Sequence, residues 1–466
     1  MKYMVLKLKE YFKLAISRMG QVQKTETVFP LYIVFLTLLL VPVAFYWRHD
    51  LFFLWDDWTE LDFIANNNFT NYLVMPNGEI LFPFFHLIFY ALVKFGGEYH
   101  GFFVFVNCLG TGVVAFLIYL FFRNHLSSNV ALVLSLLYAG SAVHPAIAWN
   151  AFYLCYILCL IFFMAALLLI DSYIRSPSYM ALWGIGLFAW LSIHSHNYTL
   201  LALLVLPIYV LFMGGVKALR QALSLAGVLG ILLLSFAWEY LTFAGIKSTT
   251  FFNQSVLSTV PDYTFFTFWI CGAFLSPVYF LFGGHFQVPL LAVIFGNLLL
   301  GFCILVIWVM GTPLERRLGL WALLLNALPF LMVSLGRYTF AYDYAFTARY
   351  VFFTLVGAML LAGITWTILS RRVPAGICLR LLGFVIIAVM ISGQIFSMPF
   401  WQKGYLHLSR QALDCYQTPD RFAKDGMFIV NPLHLLGASQ VNAIRQFLNN
   451  EVWLKAKAEE ISRANK

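Results

Sequence analysis

Charge is what this chain has least of. Only 11% of its 466 residues are Asp, Glu, Lys or Arg, against roughly a quarter in a soluble domain. With 62% hydrophobic residues and a mean hydropathy of +0.84, a soluble enzyme with a single anchor is excluded. Interleaved basic and aromatic clusters are also missing, so the net charge of +9 is not the footprint of a nucleic-acid partner and is read instead as membrane topology. The seven cysteines are scattered. Cys155 and Cys159 share a helix face, but no His or carboxylate joins them at ligand spacing, so they read as small packing residues. No internal repeat, low-complexity tract or cleavable signal peptide is evident.

What is present is a succession of apolar runs of about 20 residues, each long enough to cross a bilayer as a helix. The expected spans are 29–47, 100–122, 128–147, 151–170, 178–194, 198–213, 219–243, 287–310, 318–335, 349–369 and 379–398. About 11 transmembrane helices are therefore expected from these runs, in an all-α polytopic bundle. Residues 1–28 read as a basic amphipathic segment on the cytoplasmic leaflet. Residues 29–398 form the transmembrane domain, with an outer loop at 48–99. Residues 399–466 are a small polar region outside the membrane. Within the outer loop, Leu81–Phe95 is too short for a span and reads as a juxtamembrane helix.

Segment 263–284 is ambiguous, because Gly272, Pro277, Gly283 and Gly284 interrupt it. Reading it as re-entrant or interfacial keeps Arg316, Arg317, Arg371, Arg372 and Arg380 inside with Arg123, Arg175, Lys217 and Arg220. Reading it as a span would turn the first five outward, against the positive-inside rule. The N-terminus is then cytoplasmic and the C-terminus extracytoplasmic.

The polar residues that remain gather on the expected outer side. "LFFLWDDWTELDF" (Leu51–Phe63) sets Asp56 and Asp57 side by side, just after the first span. Adjacent carboxylates raise one another's pKa, which suits a general base or a metal ligand. Glu60 shares a helical face with Asp56 if the segment is helical. Glu79, His86 and His100 follow in the same loop; a lone His is more often a hydrogen-bonded interface residue than a ligand, but together they can line a polar cavity. "SIHSHNYTLL" adds His194 and His196 at the end of one span, and Glu239 lies near the outer end of another. In "GRYTFAYDYAFTARY" (Gly336–Tyr350), Arg337 and Arg349 are rare outward cations. They can anchor at the interface, pair with Asp343, or bind phosphate through the guanidinium fork.

The order of these pieces resembles the GT-C fold, the polytopic glycosyltransferases that use polyprenyl-phosphate sugars. The resemblance is carried by Trp55-Asp56-Asp57 after the first span, by "EILFPFFHLIFYALVKFGGEYHGFFVFVN", by "HPAIAWNAFYLCYILCLIFF", and by Arg349-Tyr350 opening a late span. It covers roughly Phe29–Ile368, and in size and layout the serotype-converting bacterial glucosyltransferases are a comparable type. It implies a bacterial inner-membrane enzyme without a certain cofactor, a divalent metal ion serving where one is used. Its partners would be a polyprenyl-phosphate sugar donor, a glycan or lipid-linked glycan acceptor, and membrane lipid. In that scheme Asp56 is the base, Asp57 orients it or holds a metal, and Arg349, Arg337 and Tyr350 bind the donor phosphate. Glu79, His86, His100, His194, His196 and Glu239 are cavity-lining candidates.

Two other classes compete. A lipid or glycan transporter should place its charges near the bilayer midplane on broken helices, in repeated halves. A catalytically dead scaffold would bind the lipid donor without turnover.

Overall fold

The computed structural model describes residues 53–54, 56–77, 80–97, 99–141, 143–243, 263–281, 289–337 and 346–372, the segments 428–431, 434–436 and 438–450, and scattered positions between 383 and 417. The expected N-terminal amphipathic segment, the span at 29–47, all but scattered positions of the span at 379–398, Glu79 and Asp343 lie outside the described residues.

Three short helices precede the bundle: α1 (Asp56–Asn66), α2 (Phe69–Val74) and α3 (Pro83–Gly96). Their limits follow local chemistry. Two acids open α1, where negative charge suits the helix dipole. The Asn68 side chain caps α2 by accepting from the Asn71 N–H at 2.9 Å. Pro83 starts α3, and Gly97 stops it at φ 55°, a left-handed geometry that favours glycine. The helix α3 occupies the position expected of the juxtamembrane element.

The bundle follows as α4 (His100–Arg123), α5 (Ser128–Ala139), α6 (Val143–Trp149), α7 (Leu154–Arg175), α8 (Tyr179–Ser195), α9 (Leu200–Leu204), α10 (Leu206–Gly214), α11 (Leu219–Phe243), α12 (Tyr263–Ile270), α13 (Ser276–Leu281), α14 (Pro289–Met310), α15 (Pro313–Arg337) and α16 (Ala348–Arg372). Among the described residues, six helical stretches are long and apolar enough to cross a membrane. Two of the expected spans are broken. That at 128–147 divides into α5 and α6 around Gly140 and Ser141, and that at 198–213 into a 3-10 turn (Asn197–Thr199), α9 and α10, with Pro207 at the start of α10.

The ambiguous segment is helical from Tyr263 to Leu281, through a π-helical turn at Cys271–Leu275. Gly272, read from sequence as an interruption, is a packing residue: a Cβ there would run into the Phe330 ring on α15.

The centre of the bundle is α16, whose residues are mostly buried, whereas α11 is mostly exposed and turns Ile231, Leu234 and Trp238 outward. An apolar helix so exposed faces lipid. Helix α16 runs against α15, α14, α5 and α6, and α7 lies between α4 and α8. Gly357 lets α16 approach α15 closely, since a Cβ would strike Asn326 Oδ1 and the Ala322 carbonyl, as small residues do between membrane helices.

One end of the bundle is basic and cross-tied. Thr312 and Glu315 form a reciprocal cap at the start of α15, and Glu315 also accepts from Arg371 of α16 at 3.0 Å. Arg317 donates to the Phe212 carbonyl at 3.0 Å. The C-terminal region carries a short antiparallel hairpin, β1 (Phe428–Asn431) with β2 (His434–Leu436), then α17 (Ala438–Asn450). Both β1 and α17 contact α1.

Candidate functional site

The first-loop acids face different surroundings. Asp57 is fully buried. One of its oxygens accepts from the Leu54 N–H at 2.9 Å, the other from the Phe152 N–H at 2.6 Å. Phe152 lies in the 3-10 turn Ala151–Tyr153 that opens α7. Asp57 therefore clamps the start of α1 to the start of α7. Burial pushes its carboxyl up to about 7, against the pull of backbone N–H donors from Leu54, Phe152 and Ala151 and with a small push from Asp56. A carboxylate so engaged has little left to offer a metal, and among the described residues no three His, Cys, Asp or Glu side chains gather at ligand distance. The acidic pair does not fit a shared metal site.

Asp56 is the accessible member. Its side chain is 15% exposed and its Oδ2 accepts from Arg349 Nη1 at 3.1 Å. That contact joins residues 293 apart in sequence, bringing the start of α1 to the first turn of α16. Arg349 also lies over the rings of Tyr350, at 5.0 Å, and Tyr153, at 5.8 Å, a cation–π setting that keeps the guanidinium in place. Two buried tyrosines brace the same turn: Tyr198 donates to the Tyr350 carbonyl at 2.5 Å, and Tyr138 to the Phe352 carbonyl at 3.2 Å. The Tyr198 and Tyr350 rings stack at 6.5 Å.

His196, in the turn between α8 and the next membrane segment, packs at 4.4 Å on the Tyr156 ring. Its Nδ1 accepts the Tyr198 N–H at 3.1 Å. Burial, and secondarily Arg349, push its pKa down to about 3.

The remaining candidates separate into other clusters. Glu60, fully buried, accepts from Tyr72 at 2.9 Å and Asn77 at 2.8 Å and lies 3.3 Å from His86 Nε2. This quartet ties α1, α2, the Asn77 turn and α3 together, so His86 belongs to the scaffold under the loop. Burial and the Glu60 charge push the Tyr72 hydroxyl well up. His100 sets its ring edge against Phe53 at 5.0 Å. His194 pairs with Glu239 at 2.8 Å and stacks on Trp190 at 4.2 Å, on the side of the bundle covered by the exposed helix α11. The Arg337 backbone ends α15; Glu79 is outside the described residues.

Sequence reasoning passed over Tyr198, Tyr153 and Tyr138, although Tyr198 lies two residues after His196 and Tyr153 closes "WNAFY". It also passed over a second buried cluster. Asp171 accepts from Asn124 at 2.9 Å and Tyr209 at 2.7 Å, and lies 3.1 Å from His125. An acid in the run "LLLIDSYIR" was the available signal. Asp171 is 16 residues beyond Cys155 on α7, about 24 Å along a helix axis, at the basic end.

No protein-family model and no curated protein matches the sequence. Among solved structures, ArnT from Cupriavidus metallidurans, determined with undecaprenyl phosphate bound, is similar over 91% of this chain and 85% of its own, with 14% identity and a TM-score of 0.50. That likeness shows the fold: an integral membrane protein with a polytopic, GT-C-like helical bundle.

Proposed function

We propose that the chain is a membrane glycosyltransferase moving one sugar from a polyprenyl-phosphate-linked donor to a glycan or lipid-linked glycan acceptor on the extracytoplasmic side of a bacterial inner membrane. The observation that carries this reading is the Asp56–Arg349 contact at 3.1 Å, which sets an accessible carboxylate beside a braced guanidinium. The GT-C-like fold and the undecaprenyl phosphate bound to ArnT support a lipid-phosphate ligand.

In this reading the acceptor hydroxyl attacks sugar C1 from the face opposite the phosphate, which inverts the anomeric carbon. An oxygen–C1 bond forms, the C1–O bond to phosphate breaks, and the hydroxyl proton passes to Asp56. The polyprenyl phosphate leaves with the bonding electron pair, and Arg349 stabilises the charge that develops on it. Tyr350 and Tyr153 hold Arg349 by their ring faces. Asp57 sets the angle of α1, so Asp56 rather than Asp57 is assigned as base. A transporter reading would want charges at mid-membrane, and the ion pairs among the described residues lie in the short helices α1 and α3 or near the ends of the longer ones.

The test is release of undecaprenyl phosphate from a panel of undecaprenyl-phosphate hexoses and pentoses, in membranes carrying the parent, Asp56→Asn or Arg349→Ala. Release by the parent alone supports the assignment, and undiminished release by both variants sinks it.

A further inference from the structure

The mechanism above leaves the buried His196 ring without a role. A backbone N–H can only donate, so the contact from Tyr198 N–H to His196 Nδ1 at 3.1 Å makes Nδ1 an acceptor. The proton of the neutral ring is therefore on Nε2. The residue is 4% exposed, and Nε2 has no hydrogen-bond partner among the described residues. Buried donors are almost always satisfied, so this N–H is built to meet something that comes and goes.

Its surroundings narrow the choice. The Tyr156 ring lies at 4.4 Å, the Phe82 ring stacks at 6.2 Å, and Arg349 acts on the imidazole electrostatically. Burial first, and Arg349 second, keep the ring uncharged, and the positive field of that guanidinium attracts an anion. A neutral donor beside a guanidinium and between aromatic faces suits an oxyanion that arrives on an apolar carrier.

We propose that His196 Nε2–H binds a phosphate oxygen of the polyprenyl phosphate beside Arg349, as a neutral partner to that cation. This rests on the transferase reading. It predicts a site that senses the headgroup through two unlike donors, one charged and one fixed in tautomer by the Tyr198 backbone.

The test measures binding of undecaprenyl phosphate and of uncharged undecaprenol to the purified full chain in nanodiscs. His196→Asn keeps an acceptor where Nδ1 stands and removes the Nε2 donor; His196→Gln carries an N–H toward the Nε2 position. His196→Asn is expected to weaken undecaprenyl phosphate binding about tenfold or more, the effect of one hydrogen bond to a charged group, with undecaprenol unchanged and His196→Gln restoring part of the loss. Unchanged phosphate affinity in His196→Asn, while Arg349→Gln loses it, overturns the His196 assignment and leaves the transferase reading standing. Equal loss for both lipids, or no rescue by Gln, also overturns it by making the residue structural. A parent that does not prefer the phosphate to the alcohol overturns both.

Discussion

The two ends of α7 hold the two polar clusters that most resemble active sites, and they differ in how completely they satisfy themselves. At the basic end, Asp171 is closed in by Asn124, Tyr209 and His125. At the other, Asp56 is partly open, His196 Nε2 faces no acceptor, and both polar atoms of the fully buried Asn150 side chain lack partners among the described residues. A polar network complete within itself rigidifies a fold. One with unmet donors and acceptors has a place for a ligand. An acid–histidine contact alone, present in three clusters, does not separate the two cases.

That contrast breaks most sharply under exchange of the acids. Asp56→Asn should lower the transfer rate about 10³-fold, within the range of a lost general base, while the thermal midpoint stays close to the parent's. Asp171→Asn should do the reverse. It leaves Tyr209 and His125 without their charged acceptor, costing about 1–3 kcal/mol of stability, with turnover per folded molecule unchanged. Thermal unfolding and donor consumption on the same preparations check both; turnover lost in Asp171→Asn at full stability would invert the assignment of the two ends. Arg349→Lys comes next, at about 10²-fold in kcat, because an ammonium keeps the charge but not the fork that serves Asp56 and a phosphate together. A smaller effect belongs to Tyr198→Phe, which removes only the brace on the Tyr350 carbonyl. We expect about a fivefold fall in kcat, the size of one net hydrogen bond, with the affinity for undecaprenyl phosphate kept.

Much of this was legible in the sequence because lipid makes its demands in long stretches. Apolar runs placed α4, α7, α11, α15 and α16 closely, and the positions of Arg317 and Arg371 at one end follow the charge count. The Asp56–Arg349 contact was reachable only through the order of motifs, since nothing local reports a pairing across 293 residues. The separate fates of Asp56 and Asp57 were not legible at all. Neighbours on a helix point about 100° apart, and which one met the Phe152 N–H depended on where the start of α7 packed. Gly272 was misread for a related reason: a glycine that breaks a helix and one that admits the Phe330 ring look alike until the partner helix is known.

Asp57 supplies the smallest effect on chemistry and a physical check of the clamp. Its carboxyl is raised from 3.8 to about 7, so the folded chain holds this proton more tightly than the unfolded chain does. The stability this contributes is fully present below about pH 4 and is lost as the pH climbs to about 7. For a fully buried carboxyl, a rise of that size sets an upper scale of about 4 kcal/mol. The parent in nanodiscs should therefore lose a few degrees of thermal midpoint between about pH 4 and 7 on account of this residue. In Asp57→Asn, which does not titrate, that part of the slope should vanish, while the midpoint falls at every pH because the amide cannot accept from both Leu54 and Phe152. An unchanged slope in the variant would mean that the backbone donors win over burial and that Asp57 sits in its clamp as a permanent anion.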